Sequence, residues 1–264
     1  MQKIFDAHLH LWDLNEVPIS WLKDDERLNQ NYDFSRMKKE YENYEFLGAL
    51  YVECNGDDID KESLYALSLK QTHSLLLCLA DLRYKENLSS FREVLHTSQK
   101  GAKRLFEADF KEKMKNLKQV SIPFEACMKN EELYCLEPFL RENRDLKVVL
   151  NHLGSPKISH LSEYKNTLSL LKQFPNLYIK LSAPDDFCPQ ISKQFVFELF
   201  AFLKENFSEE RLLFGSNYPV SKLSPSLWAS FIIQSGIFEN LDKIFYKNAL
   251  SLYKEDRCKD MVKS

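Results

Sequence analysis

The chain has 264 residues, with 36 Lys and Arg against 39 Asp and Glu, a formal net charge of −3 and 44% hydrophobic residues. That length allows one large α/β domain or two small ones and buries enough surface to fold without disulfide staples. Interspersed, nearly balanced charge argues against nucleic-acid binding, and no apolar run is long enough to span a bilayer.

The first apolar run, Lys3 to Leu9, alternates like a buried strand. Period-two geometry would project Asp6, His8 and His10 from one face. Two imidazoles and a carboxylate on a core-facing strand are costly unless partnered, so the run predicts a polar site inside the fold. A His-x-His pair suits either a divalent metal or a polarised carbonyl. Leu11 to Glu45 is too long for a simple connection and predicts an insertion after strand 1, with Trp12 and Trp21 as candidate pocket aromatics.

Further strand-like runs follow at Phe46–Glu53, Ser74–Ala80, Ala102–Glu107, Val120–Cys127, Lys147–His152, Asn176–Ser182 and Arg211–Ser216. Amphipathic stretches lie between most of them, as at 60–71, 130–144, 162–174 and 192–206. Eight strands alternating with helices predict a single (β/α)8 TIM barrel over residues 1–264. An open doubly wound sheet is the rival, but the first strand is not followed by Gly-x-Gly-x-x-Gly.

In such a barrel, catalytic groups sit at the C-terminal strand ends. His8 and His10 occupy that place on strand 1, Glu53 on strand 2, His152 on strand 6 and Asn217 just past strand 8. Lys180 shares a face with Tyr178 and Ser182 and is either an interior site lysine or a rim cation. The lysines at 111, 113, 115 and 118 read as a solvated face. Cysteines 54, 78, 127, 135, 188 and 258 lack Cys-x-x-Cys spacing, and several lie in apolar runs where a free thiol packs as a small hydrophobe. With Met1-Gln2-Lys3 leading straight into the first strand, the expectation is a cytoplasmic protein with a small-molecule substrate.

Asp6-Ala7-His8-Leu9-His10-Leu11-Trp12-Asp13, Phe124-Glu125-Ala126, Asn151-His152-Leu153-Gly154-Ser155-Pro156, Tyr178-Ile179-Lys180-Leu181-Ser182-Ala183, Leu213-Phe214-Gly215-Ser216-Asn217-Tyr218-Pro219-Val220 and 248–253 form an ordered set. The set resembles the amidohydrolase-related lactonases, the group with sugar-lactone and pyrone-dicarboxylate lactonases. The resemblance implies a barrel that opens cyclic esters with water, with His8 and His10 polarising the carbonyl or holding a metal and His152 assisting. It also implies an aspartate at the last strand, where this chain has Asn217, and often one where it has Asn151. An amide can orient water but cannot deprotonate it, and is a poor metal ligand.

The reading that follows gives His8 and His10 the carbonyl, either with no cofactor or through one weakly bound, zinc-like ion. His152 or Glu53 takes the water's proton, and Asn217 positions that water. Cations at strand ends are few (Arg83, Lys103 or Arg104, Lys180), which favours a neutral aldono- or deoxyhexono-lactone contacted by Trp12, Lys180 and Tyr218. The alternatives are a metal-dependent decarboxylase or amide hydrolase on the same barrel, and a non-catalytic ligand-binding relative.

Overall fold

The computed structural model describes residues 1–73, 75–187 and 192–253. The strands are β1 (Lys3–Leu9), β2 (Glu45–Val52), β3 (Leu75–Leu79), β4 (Ser90–Val94), β5 (Phe124–Cys127), β6 (Val148–Leu150), β7 (Leu177–Leu181) and β8 (Leu212–Phe214). They pair in sequence order as one eight-stranded parallel sheet. The sheet nearly closes through a parallel bridge between Leu9 and Tyr218, where His10 N donates to Tyr218 O at 2.8 Å and Asn217 N to His8 O at 2.9 Å. The helices are α1 (Phe34–Lys39), α2 (Ile59–Thr72), α3 (Ala108–Gln119), α4 (Leu136–Glu142), α5 (Leu161–Leu171), α6 (Pro184–Phe187), α7 (Lys193–Asn206), α8 (Pro225–Gln234) and α9 (Asn248–Tyr253). This is a (β/α)8 barrel.

Its main core lies between strands and helices. A second cluster fills the barrel interior with Phe5, Ala7, Leu50, Val52, Cys78, Val149 and Leu213, joined by Ala249, Leu252 and Tyr253 of α9. Residues 10–44 connect β1 to β2 and bury Trp12, Leu22, Leu28, Tyr32, Met37 and Tyr41. Lys111, Lys113, Lys115 and Lys118 lie on α3 and pair with Glu142, Glu93, Glu112 and Asp145. Cys54, Cys78, Cys127 and Cys135 are buried thiols outside any disulfide, while Ser74, Cys188 and Cys258 lie outside the described residues. Among the described residues, no helix is long and apolar enough to cross a membrane.

Two expectations are corrected. The run 102–107 is not strand 4 but part of a 3-10 helix spanning Gly101–Phe106. Strand 4 is Ser90–Val94, which reads as polar because Ser90 and Arg92 find their partners only on other strands, Glu125 on neighbouring β5 and Glu53 at the end of β2. Only a 3-10 turn (Leu82–Asn87) separates it from β3, so the alternating strand–helix rhythm skips a beat there.

The second correction concerns β1. Its register against β2 shifts between Asp6 and Leu9, an irregularity that breaks the period-two alternation. Phe5 and Ala7 join the interior cluster. Asp6 instead accepts from Tyr41 Oη and Ser216 Oγ, both at 2.5 Å, and from the backbone N–H groups of His8 and Ser216. Burial pushes its pKa up while these donors pull it down. Asp6 therefore ties β1 to the segment after β8 rather than standing beside the histidines.

Candidate active site

The strand ends that carry the polar residues have an unusual backbone. Asn55, His152, Leu153, Ser155, Ala183 and Asn217, after β2, β6, β7 and β8, all have φ between 50° and 58°. Asparagine tolerates this left-handed region, but for histidine, leucine and alanine it stores strain that the surrounding packing must hold. The result turns His152 and Asn217 toward the barrel mouth. Gly215 is required beside them, since a Cβ there would sit 2.9 Å from the His8 Cβ.

The cavity at this mouth has a volume of about 560 Å³, and His10, Glu53, Arg92, His152, Asn217 and the indole of Trp21 all line it. Trp21 is 46% exposed, with its N–H tied to Cys54 O at 2.8 Å. Trp12, Lys180 and Tyr218, expected as substrate contacts, do not line this cavity. Trp12 packs edge-on against Tyr32 and donates to Gln30 O, and Tyr218 also packs edge-on against Tyr32. Lys180 is completely buried.

The imidazoles form a chain whose proton positions follow from its ends. His10 Nδ1 lies 2.8 Å from Val52 O, a group that only accepts, so Nδ1 carries the proton and Nε2 a lone pair. His8 Nε2 lies 3.2 Å from that lone pair and must donate to it. His8 Nδ1 is then the acceptor, 3.4 Å from Lys180 Nζ. Lys180 Nζ also reaches Glu125 Oε2 at 2.6 Å, both side chains being fully buried. Glu125 further accepts from Ser90 at 3.0 Å, Tyr253 at 2.7 Å and Asn151 Nδ2 at 2.5 Å. An aspartate at 151 would oppose two carboxylates there, which accounts for the asparagine.

His8, His10 and His152 are all held neutral. Burial lowers each pKa, reinforced by Arg92 and Lys180, and His10 falls to about 3. Glu53 moves the other way: burial pushes its carboxyl up to about 7, against the pull of Arg92. Its Oε2 accepts from Ala80 N at 2.6 Å, and its Oε1 stands 3.7 Å from Arg92 Nε. Arg92 Nη2 is spent on Glu53 O, but the buried Nε has no hydrogen-bond partner. Arg92 lines the cavity, so its cation stands beside both Glu53 and the space that a substrate would fill. Sequence reasoning missed Arg92 because it missed β4. It also missed His96, whose Nδ1 lies 3.5 Å from Cys127 Sγ on the same wall. In both cases the one available signal was a strand too short and too polar to stand out.

The donor set does not fit a resident divalent ion. The two Nε2 atoms are spaced about as two tetrahedral zinc ligands would be, roughly 3.3 Å for bonds of about 2.0 Å. Ligation through His8 Nε2 would, however, move its proton to Nδ1 and aim that N–H at Lys180 Nζ. Asn217 supplies an amide where a carboxylate ligand is wanted, and among the described residues no group of three His, Cys, Asp or Glu is arranged to hold a metal ion. Exhaustive chelation is expected to leave the thermal midpoint and turnover unchanged, with less than one-tenth equivalent of zinc or manganese by elemental analysis of the purified protein. Stoichiometric metal whose removal lowers the midpoint would overturn this reading.

Residues 77–254 match the amidohydrolase family Amidohydro_2, and the chain belongs to that family. Solved structures share the fold at low identity. Amidohydrolase 2 from Bifidobacterium longum subsp. infantis is 24% identical, over 96% of this chain and 99% of that one, with a TM-score of 0.78. An amidohydrolase from Burkholderia multivorans with bound HEPES is 18% identical, over 95% and 99%, with a TM-score of 0.83. A candidate 2-pyrone-4,6-dicarboxylic acid hydrolase from Pseudomonas putida is 17% identical, over 96% and 98%, with a TM-score of 0.78.

Proposed function

We propose that the protein is a hydrolase that opens a lactone with water. The observation that carries this reading is the pairing, in one cavity, of a carboxyl with a pKa of about 7 and a buried guanidinium, among neutral imidazoles. A general base poised near the working pH and a fixed cation for the developing oxyanion are what ester hydrolysis needs.

Glu53 takes a proton from the attacking water as its oxygen bonds to the carbonyl carbon. The positive charge of Arg92, on the same cavity wall, stabilises the oxyanion. His152 assists from the same wall, with its Nδ1 2.8 Å from Ser182 Oγ. Asn217 holds the water, and His10 lines the wall beside it. Collapse of the adduct breaks the ring C–O bond, and Glu53 returns its proton to the leaving alkoxide, giving a hydroxy acid. His8 acts one step back, by donating to His10 Nε2 and so holding that ring in place.

A sugar lactone, of the aldono or deoxyhexono type, suits a cavity with several hydrogen-bonding groups and one exposed indole for stacking on a ring face. Acid release from a panel of aldono-1,4- and 1,5-lactones tests the reading. Turnover well above spontaneous opening is expected for at least one of them, and silence from a folded preparation on all would overturn it.

A further inference from the structure

Across His96 and Lys129 from the catalytic cavity lies a second cavity of about 560 Å³, with Lys100, Gly101, Lys103 and Glu132 among its lining. The two spaces share those two side chains, so they meet at one wall of the barrel mouth. Charge on this face is otherwise matched. Arg104 pairs with Glu93, Glu107 and Asp109, Lys113 with Glu93, and Lys157 with Glu131. Lys100 likewise pairs with Glu107. Lys103 and Lys129 have no acidic partner among the described residues, and both face the second cavity.

Glu132 adds a second feature. Its Oε1 accepts from Ala102 N at 3.2 Å, whereas Oε2 is buried without a partner. Gly101, at φ +55°, lets it close in, because a Cβ there would collide with the carboxylate. The cavity thus offers two ammonium groups with no acidic partner, a set complementary to an anion, and Glu132 in the same lining restricts where that anion can sit.

We propose that this annex seats an anionic substituent of the substrate, a phosphate or carboxylate at the end of a hydroxylated tail, while the lactone ring lies against Glu53 and Arg92. Lys103 and Lys129 hold the anion. Compact ammonium charges without a guanidinium fork make phosphate the better match. The inference rests on the lactone reading and revises its substrate from a neutral sugar lactone to a charged one. Sequence reasoning counted too few cations because Lys129 lies past β5 and Arg92 on the unrecognised β4.

The test compares glucono-1,5-lactone, its 6-phosphate and glucaro-1,4-lactone on the whole enzyme and on K103Q/K129Q. At least tenfold higher kcat/KM is expected for a charged lactone over the neutral one, through KM, and the preference should shrink below threefold in the variant. A phosphate-only preference identifies phosphate as the anion, and a preference for the glucarolactone identifies carboxylate. Equal turnover of charged and neutral lactones, or a preference that survives in the variant, overturns the proposal. Calorimetric titration with glycerol 3-phosphate, and with glycerate as the carboxylate counterpart, separates it from the lactone reading. Binding of either anion lost in K103Q/K129Q, with no lactone turned over, supports the annex and sinks the lactonase. Titrations silent for both anions, together with no charge preference, sink the annex.

Discussion

Glu53→Gln is expected to lower kcat/KM on any accepted lactone by about 10²- to 10⁴-fold, the usual contribution of a positioned general base. The amide keeps the shape and an oxygen to accept from Ala80 N, so the loss should come without unfolding. The pH profile is the sharper readout. The base must be ionised to work, so wild-type turnover should rise through the Glu53 pKa of about 7 and level off above it. The histidines cannot produce that limb, since burial keeps them neutral down to lower pH. In Glu53→Gln the limb should vanish, leaving a flat residual rate. A retained limb near pH 7 in the variant would move the base elsewhere.

Lys180→Met should be the most destabilising single change in the interior. It removes one member of a fully buried ion pair and leaves Glu125 with only Ser90, Asn151 and Tyr253 as donors. Breaking such a pair from one side costs about 3–5 kcal/mol. For a chain of this size that is roughly a 6–20 °C fall in Tm. Removing both charges, in Lys180→Met with Glu125→Met, should recover part of the loss, because two buried charges no longer need each other. Lys180 also holds the tautomer of His8, so nitrogen NMR of the folded single variant should show His8 protonated at Nδ1 for a larger fraction of molecules. A single variant as stable as the wild type would mean that the pair does not carry this part of the interior.

How much of this was legible in the sequence varies by residue. Seven of the eight strands announced themselves as apolar runs, and His10, Glu53, His152 and Asn217 marked strand ends that do meet around one cavity. β4 was hidden because its inward residues are polar and its partners lie on β2 and β5, far along the chain. Asp6 was placed beside the histidines by strict alternation, and a shift in strand register put it elsewhere. Lys180 was recognised as anomalous, but its partner Glu125 is 55 positions away and nothing local points to it.

The sequence by itself therefore determined the barrel, its polar mouth and the histidines, because periodic burial and strand-end chemistry are local properties of the chain. Only the tertiary structure decided which groups can ionise and which side chains reach the cavity. Burial and distance set a pKa, and they exist only once β1, β2, β4 and β7 are brought around the same space. That is why Glu53 and Arg92 moved to the centre of the site, Trp12 and Lys180 moved behind it, and His8 became the residue that orients His10.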